Sequence, residues 1–155
     1  NSKYKINNVL RNIGKCRFIR LCLAWEGASK NKGTINFMVF AQRFEDLEVW
    51  QEARRLAGLI YLAFRDIRDF GFRNQIQEAS VSVMNNIAEG FERRSKIEFC
   101  RFLDIAKGSS GETRSMLYLA QDIEYITTNH GMELISDYEA LSKRIASLMN
   151  SMEKK

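Results

Sequence analysis

The chain has 155 residues, 45% of them hydrophobic, and a formal net charge of +5. This length suits one domain of ordinary size, and this hydrophobic content argues against wholesale disorder. The sequence contains no proline and only nine glycines, which argues against collagenous, proline-rich and loop-dominated all-β proteins and permits long helices.

The basic character of the chain is concentrated in residues 1–42, which hold eight Lys or Arg residues and one acid. Residues 43–155 hold 16 basic and 18 acidic residues, so we expect a basic, poorly patterned N-terminal segment followed by a nearly neutral domain. Four interpretations of the segment stay open: either a flexible arm that contacts phosphates, or an ordered addition to the domain, or a degenerate export signal, or sequence upstream of a natural start at Met38.

Apolar and small residues recur at alternating spacings of three and four from residue 46 onward, which is the period of one helix face. They predict a first helix over residues 46–67 and a second over about residues 70–91, with Asp69 as the N-cap of the second. The predicted inward faces are Trp50, Ala53, Ala57, Ile60, Phe64 and Ile67 in the first helix, and Phe72, Ile76, Ala79, Val83, Asn86 and Gly90 in the second.

The third helix has a clear predicted start, because Ser95 and Glu98 have the spacing of a capping box. The helical period then continues to Thr127. Gly108 and Gly111 lower the helix propensity in its middle, so a break into two shorter helices stays open as the alternative.

Leucine, isoleucine and tyrosine residues at helical spacing predict a fourth helix over residues 132–152, after a turn at residues 129–131. Four amphipathic helices with short turns predict an all-α protein, an antiparallel up-down-up-down four-helix bundle. No stretch reaches 18 consecutive apolar residues, so we expect no membrane-spanning helix and no membrane partner.

Residues that could carry catalysis or bind a metal are scarce. The one histidine, His130, falls in the predicted turn, and the sequence has neither a Cys-x-x-Cys pair nor Glu-x-x-His pairs on facing helices. It also lacks the glycine motifs of P-loop and Rossmann proteins. We therefore expect no catalytic site, no metal and no cofactor. Three cysteines do not make a disulfide framework, which favours a reducing compartment.

Polar residues at inward positions predict a hydrogen-bond network between the second and third helices. Asn86 occupies a core position of the heptad pattern, and Glu89 lies one turn further on. Ser109 and Glu112 lie on the facing helix. A network of this kind fixes the register of two helices. An acid pair for catalysis is the alternative, but it requires a pocket and a perturbed pKa, and the sequence indicates neither.

Basic residues of the predicted bundle fall into three clusters. The turn between the second and third helices is surrounded by Arg93, Arg94, Lys96 and Arg101, the first helix carries Arg54 and Arg55, and the first turn is flanked by Arg65, Arg68 and Arg73. Each cluster is either a solvated charged surface or a patch that contacts phosphates. In an oligomer, the counterion release of such a patch would sum over the copies.

Three ordered motifs are similar to those of the 23S rRNA intervening-sequence proteins, a family of four-helix bundles. Residues 44–53, FEDLEVWQEA, resemble the opening motif F-x-D-L-x-V-W-Q-x-A of that family. Residues 75–90, QIQEASVSVMNNIAEG, resemble its second-helix signature, and residues 99–112, FCRFLDIAKGSSGE, resemble its third. The likeness covers about residues 44–127, and the fourth helix matches in pattern only.

The resemblance implies a cytoplasmic bacterial protein that is often encoded within an insertion in a ribosomal RNA gene. It also implies kinship with the accessory variability determinant of diversity-generating retroelements, which forms a pentameric barrel, binds nucleic acid and is a partner of a reverse transcriptase. The chain departs from the family pattern at two places. Gln77 and Glu78 stand where the family often has basic residues, and the first interhelical turn contains no proline.

We therefore expect a non-enzymatic, homo-oligomeric helical bundle, a pentamer by resemblance, that binds structured RNA or DNA through basic residues near its interhelical turns. The expected phosphate contacts are Arg93, Arg94, Lys96, Arg101, Arg54 and Arg55. The alternative is a protein-interaction scaffold without nucleic-acid contact, whose partner is a polymerase such as a reverse transcriptase or a ribosome-associated factor. Exposed apolar residues would serve that scaffold, and the candidates are Tyr61, Phe91 and Tyr118.

Overall fold

A computed structural model describes residues 41–93 and 95–153. Nearly all of the predicted basic segment, residues 1–40, lies outside the described residues, so its four interpretations stay predictions. The described chain forms a short 3-10 turn at Phe44–Asp46 and four α-helices, and it contains no strand. The helices are α1 (Glu48–Ala63), α2 (Phe70–Glu92), α3 (Lys96–Asp122) and α4 (Thr128–Glu153). The all-α four-helix bundle that the sequence predicts is confirmed.

The four helices form a ring. Each packs against its neighbours in the chain, and α1 also contacts α4, whereas α1 and α3 occupy opposite corners with no contact between their described residues. Contacts between α2 and α3 run in opposite directions, since Ser82 bonds to Ser109 while Gly90, further along α2, lies against Phe102, earlier in α3. Short connections between packed neighbours give this antiparallel arrangement.

The first helix begins two residues later and ends four residues earlier than its predicted bounds. Residues 44–46 form the 3-10 turn instead, and the ring of Phe44 packs edge-on against Trp50 with 5.0 Å between centroids. The side chain of Gln51 fastens the same turn by donating a hydrogen bond to the Glu45 carbonyl at 2.8 Å. Asp69 caps α2 as predicted, because its side chain accepts a hydrogen bond from the Phe72 amide.

The third helix runs without a break through Gly108 and Gly111, so the alternative of two shorter helices is wrong. It ends at Asp122 rather than at Thr127. Glu124 adopts a left-handed conformation with φ 59°, and the amide of Tyr125 donates to the Ala120 carbonyl at 2.8 Å. These are the features of a Schellman C-cap.

The predicted turn at residues 129–131 is wrong, because α4 already begins at Thr128. The amide of Gly131 donates to the Thr127 carbonyl at 2.9 Å, as in a first helical turn. The connection consists of residues 123–127, which contain no glycine to mark it.

The predicted capping box at the start of α3 is observed only in part. Ser95 is the N-cap residue of α3, but its side chain makes no capping hydrogen bond.

The core lies along the axis of the ring and includes hydroxyl groups as well as aliphatic side chains. Ser110 of α3 and Ser142 of α4 are buried with 2.8 Å between their hydroxyl oxygens, and the Ser110 hydroxyl also lies 3.1 Å from the Tyr138 carbonyl. The large side chains with less than 2% exposure include Leu56, Phe64, Ile76, Ile87, Leu103, Leu117, Tyr138, Leu141 and Ile145.

Candidate nucleic-acid interface

The α2–α3 connection is the place where basic residues are nearest to one another in the chain. Residues 92–101 contain four basic and two acidic residues. Of the basic ones, Arg93 follows the end of α2, Lys96 opens α3, and Arg101 lies in its second turn. Arg94 lies outside the described residues, so its predicted phosphate contact stays a prediction.

Arg93 is held in place by its neighbours. Its guanidinium donates to the Glu89 carboxylate at 2.5 Å, four residues earlier, and lies 5.2 Å from the centre of the Phe102 ring. A cation over an aromatic face and an (i, i+4) ion pair are each weakly stabilising at an exposed position. The side chain is nevertheless half exposed.

Lys96 and Arg101 are exposed, and within the described part of the chain neither has a carboxylate at ion-pair distance. Both charges are therefore available to a ligand. The first amides of α3 receive no capping hydrogen bond from the Ser95 side chain. A helix N-terminus carries partial positive charge and favours anions. We call the group made of Arg93, Lys96, Arg101 and the start of α3 the turn surface.

The structure places Arg54 and Arg55 on α1, which makes no contact with α3 within the described residues. Arg55 donates to Glu52 at 2.8 Å and to Asp137 of α4 at 2.7 Å. The hydrogen bond with Glu52 raises the pKa of Arg55 above its ordinary value, and that with Asp137 adds to the effect. Arg55 therefore joins two helices. Arg54 is exposed and lies 5.7 Å from the Trp50 ring.

The predicted polar network is only partly brought together. Asn86 is half-buried and donates to the Ser82 carbonyl at 2.7 Å, and the Ser82 hydroxyl lies 2.9 Å from that of Ser109. Ser82 thus links the two predicted members, although the sequence indicated it only as a small residue. Glu89 faces solvent and pairs with Arg93, and Glu112 is exposed.

The arginines at the opposite end of the bundle are less available. Arg65 pairs with Asp66 at 3.1 Å, and Arg73 lies over the exposed ring of Phe70 at 4.6 Å while donating to the Ile67 carbonyl. Arg68 is exposed. This end also carries Asp69, whose carboxylate accepts from the Tyr125 hydroxyl at 3.2 Å. Carboxylates thus offset much of its positive charge.

Within residues 41–93 and 95–153, no three His, Cys, Asp or Glu side chains converge as metal ligands. His130 is exposed in the first turn of α4. No helix of that region combines the length and the apolar content that crossing a bilayer requires.

Comparisons with known proteins found a matching family model and similar solved structures. The family model described as 23S rRNA-intervening sequence protein matches residues 45–147. Among solved structures, a protein of unknown function from the S23 ribosomal protein family of Bacteroides thetaiotaomicron VPI-5482 is 26% identical, with a TM-score of 0.59. The match covers 65% of this chain and 97% of that one. No curated protein matches the chain.

Proposed function

This chain belongs to the 23S rRNA-intervening sequence protein family, since the family model matches more than half of it, and we propose that it acts as a non-enzymatic, self-associating bundle that binds structured RNA or DNA. In this proposal the turn surface contacts the phosphate backbone. Its cationic contacts are Arg93, Lys96 and Arg101, and Arg94 adds a fourth charge from the same connection.

The availability of the Lys96 and Arg101 charges at the open N-terminus of α3 is the observation that carries the proposal. The other sequence-predicted cations differ in this respect. Arg55 is already neutralised by Glu52 and Asp137, and Arg54 lies at another corner of the ring. A phosphate at the turn surface would meet exposed cations and backbone amides together, which is a recurrent way of binding phosphate.

Contacts of this type recognise the backbone and carry little sequence information. The Phe102 ring, which could have stacked on a base, is half-buried and covered by Arg93. We therefore expect binding to depend on salt more than on sequence. Three or four phosphate contacts correspond to a slope of about −3 to −4 in a plot of log affinity against log salt concentration. Because one copy offers few contacts, self-association would strengthen binding by presenting several turn surfaces together.

The test compares the full chain with two variants that lose the same charge. Lys96→Gln with Arg101→Gln alters the turn surface, and Arg65→Gln with Arg68→Gln alters the opposite end of the bundle. Fluorescence anisotropy measures binding to a structured RNA and to a DNA duplex over a range of salt concentrations. The basic residues of segment 1–42 give the same background in all three proteins, so the comparison isolates the turn surface.

We expect the salt slope of the turn-surface variant to be shallower by about two, and that of the opposite-end variant to match the unaltered chain. Equal losses in both variants would mean that overall charge, and not the turn surface, attracts nucleic acid. Unchanged binding in both would place the contacts elsewhere. Either of these results contradicts the proposal.

The second candidate function is a protein-interaction scaffold, and one observation favours it. Ile97, beside Lys96 on α3, is 82% exposed, which is unusual for a large aliphatic side chain at the centre of a charged surface. Such a residue would serve as an apolar anchor for a protein partner, for example a polymerase. Ile97→Ser separates the two functions. Binding of nucleic acid would persist in this variant, whereas capture of a protein partner from nuclease-treated lysate would be lost.

A further inference from the structure

Two helix faces at opposite corners of the ring expose large apolar side chains. On α1, Tyr61 is 48% and Leu62 43% exposed. On α3, Ile105 is 45% and Leu119 48% exposed. We define the α1 outer face as Arg54, Gly58, Tyr61 and Leu62. We define the α3 outer face as Asp104, Ile105, Gly108, Gly111, Glu112 and Leu119. All these residues except Gly111, which is half-buried, are exposed.

Each outer face has glycine in a helix interior. A Cβ at Gly58, Gly108 or Gly111 would have no described atom within 4 Å, and none of the three has a positive φ. Glycine destabilises a helix interior relative to alanine. At position 90 glycine is required, because Phe102 occupies the space of a side chain. Nothing in the described bundle requires glycine at the outer-face positions 58, 108 and 111. A second helix packed closely against these positions would require it.

The charges beside these glycines are complementary. Arg54 lies one turn before Gly58, while Asp104 and Glu112 lie one turn before and one turn after Gly108. If two helices cross at Gly58 and Gly108, Arg54 meets Asp104 in a parallel crossing and Glu112 in an antiparallel one. None of these three side chains makes an ion pair within the described part of the chain.

We propose that the α1 outer face of one copy packs on the α3 outer face of the next copy, with the helices crossing at Gly58 and Gly108. This inference rests on the self-association in the proposed function and specifies its surface. Because the two faces occupy opposite corners, the contact is head-to-tail, and each added copy leaves one face of each kind free. Repetition closes a ring or continues as a filament. Arg54 then serves the contact between copies instead of a phosphate.

The test uses Gly58→Gln and Gly108→Gln in the full chain. Each glutamine has room in a single bundle and raises helix propensity, but it blocks close approach of a second helix. Ala140→Gln places the same side chain at an exposed position of α4 and is the matched control. Sedimentation and light scattering give the molar mass, and thermal unfolding followed by circular dichroism verifies that each variant is folded.

The unaltered chain and Ala140→Gln are expected to be oligomeric. Each glycine variant alone is expected to fall toward the 18.0 kDa of one chain, with its dissociation constant raised roughly tenfold or more. An equal mixture of the two variants retains one intact pair of faces and is therefore expected to form dimers. Exchanging the charges of the two faces is a second test. Arg54→Glu should weaken assembly, and adding Asp104→Arg and Glu112→Arg to the same chain should restore it.

Three results would overturn the inference. An α3–α3 contact would leave Gly58→Gln oligomeric while Gly108→Gln dissociates. Oligomers that persist in both variants would place the contact on other faces. A monomeric unaltered chain would refute self-association itself. Nucleic-acid anisotropy is measured on the same samples, so loss of assembly with retained binding separates this inference from the phosphate-binding part of the proposed function.

Discussion

Gly90 of α2 lies so close to Phe102 of α3 that a Cβ at residue 90 would be 2.5 Å from the Phe102 Cβ. The same Cβ would lie 2.9 Å from Cδ2 of Phe99. Distances this short require movement of the α3 backbone, not only of a flexible side chain. The glycine thus sets how closely the two helices approach beside the turn surface, and its place in the family-like second-helix motif has a physical reason.

Gly90→Ala is expected to lower the free energy of unfolding by about 1–3 kcal/mol, because overpacking outweighs the gain in helix propensity. Urea denaturation measures the change. Gly71→Ala is the control, since its Cβ would meet only the Asp69 carboxylate at an ordinary 3.4 Å. This variant should be as stable as the unaltered chain or more stable by up to about 1 kcal/mol. Equal effects at the two positions would mean that α2 and α3 do not approach as described.

Glu124→Gly is expected to stabilise the protein by about 1 kcal/mol, because Glu124 occupies the left-handed position of the α3 C-cap without the freedom of glycine. Asp122→Gly, two residues earlier and still helical, should instead destabilise by roughly 0.5 kcal/mol. Thermal and urea unfolding of both variants give the comparison. A loss of stability in Glu124→Gly would show that the helix does not end in this C-cap.

The same C-cap shows which parts of the fold the sequence could predict. The number, order and inward faces of the helices follow from apolar spacing, since burial of one face dominates their stability. The end of α3 does not follow, because Glu124 adopts a conformation that normally marks glycine. Conversely, Gly131 suggests a turn but lies in α4, where a side chain would collide with Gln121. Local residue preference is overridden at both places, by the contact of Gly131 with Gln121 and by the C-cap hydrogen bonds around Glu124.

The candidate site was predictable to the extent that its contacts are local. Arg93 and Glu89 are four residues apart on one helix, so their pairing is readable from spacing. Arg55 is different. Its partner Asp137 lies 82 residues away in the chain, and only the closure of the ring by α1 and α4 brings them together. Sequence alone therefore groups Arg55 with the phosphate contacts, whereas in the structure it forms an ion pair between α1 and α4.

Arg55→Gln is expected to lower the free energy of unfolding by about 0.5–1 kcal/mol, because it removes partly exposed ion pairs to Glu52 and Asp137. Its affinity for nucleic acid should match that of the unaltered chain. Arg68→Gln removes the same charge from an exposed side chain outside any described ion pair, so its stability should change by less than about 0.5 kcal/mol. Urea denaturation and anisotropy are measured together. Weakened nucleic-acid binding in Arg55→Gln with unchanged stability would indicate that Arg55 contacts phosphate and does not stabilise the bundle.

Tyr138 provides a test of the core through pH. Its side chain is fully buried beside Ser80, and its hydroxyl makes no hydrogen bond within the described residues. Burial raises the pKa of the phenol far above its ordinary value, and the nearby Ser80 hydroxyl and Arg55 charge offset only part of the shift. The folded state therefore keeps this proton at a pH where the unfolded chain, with a tyrosine pKa of about 10, releases it. The resulting stability is fully present below pH 10 and is lost as the pH rises further.

Tyr138→Phe is accordingly expected to change stability by less than about 1 kcal/mol at pH 7, where it removes a hydroxyl without a hydrogen bond. Above pH 10, ionisation of Tyr138 in the unfolded state should cost the unaltered chain about 1.4 kcal/mol of stability for each further pH unit, and Tyr138→Phe should not show this loss. Urea denaturation at pH 7 and pH 11 gives the difference for each protein. Tyr61→Phe removes a hydroxyl from the surface and controls for the loss of one phenol. If Tyr138→Phe lost as much stability between the two pH values as the unaltered chain, the Tyr138 phenol would not be buried in the core as described.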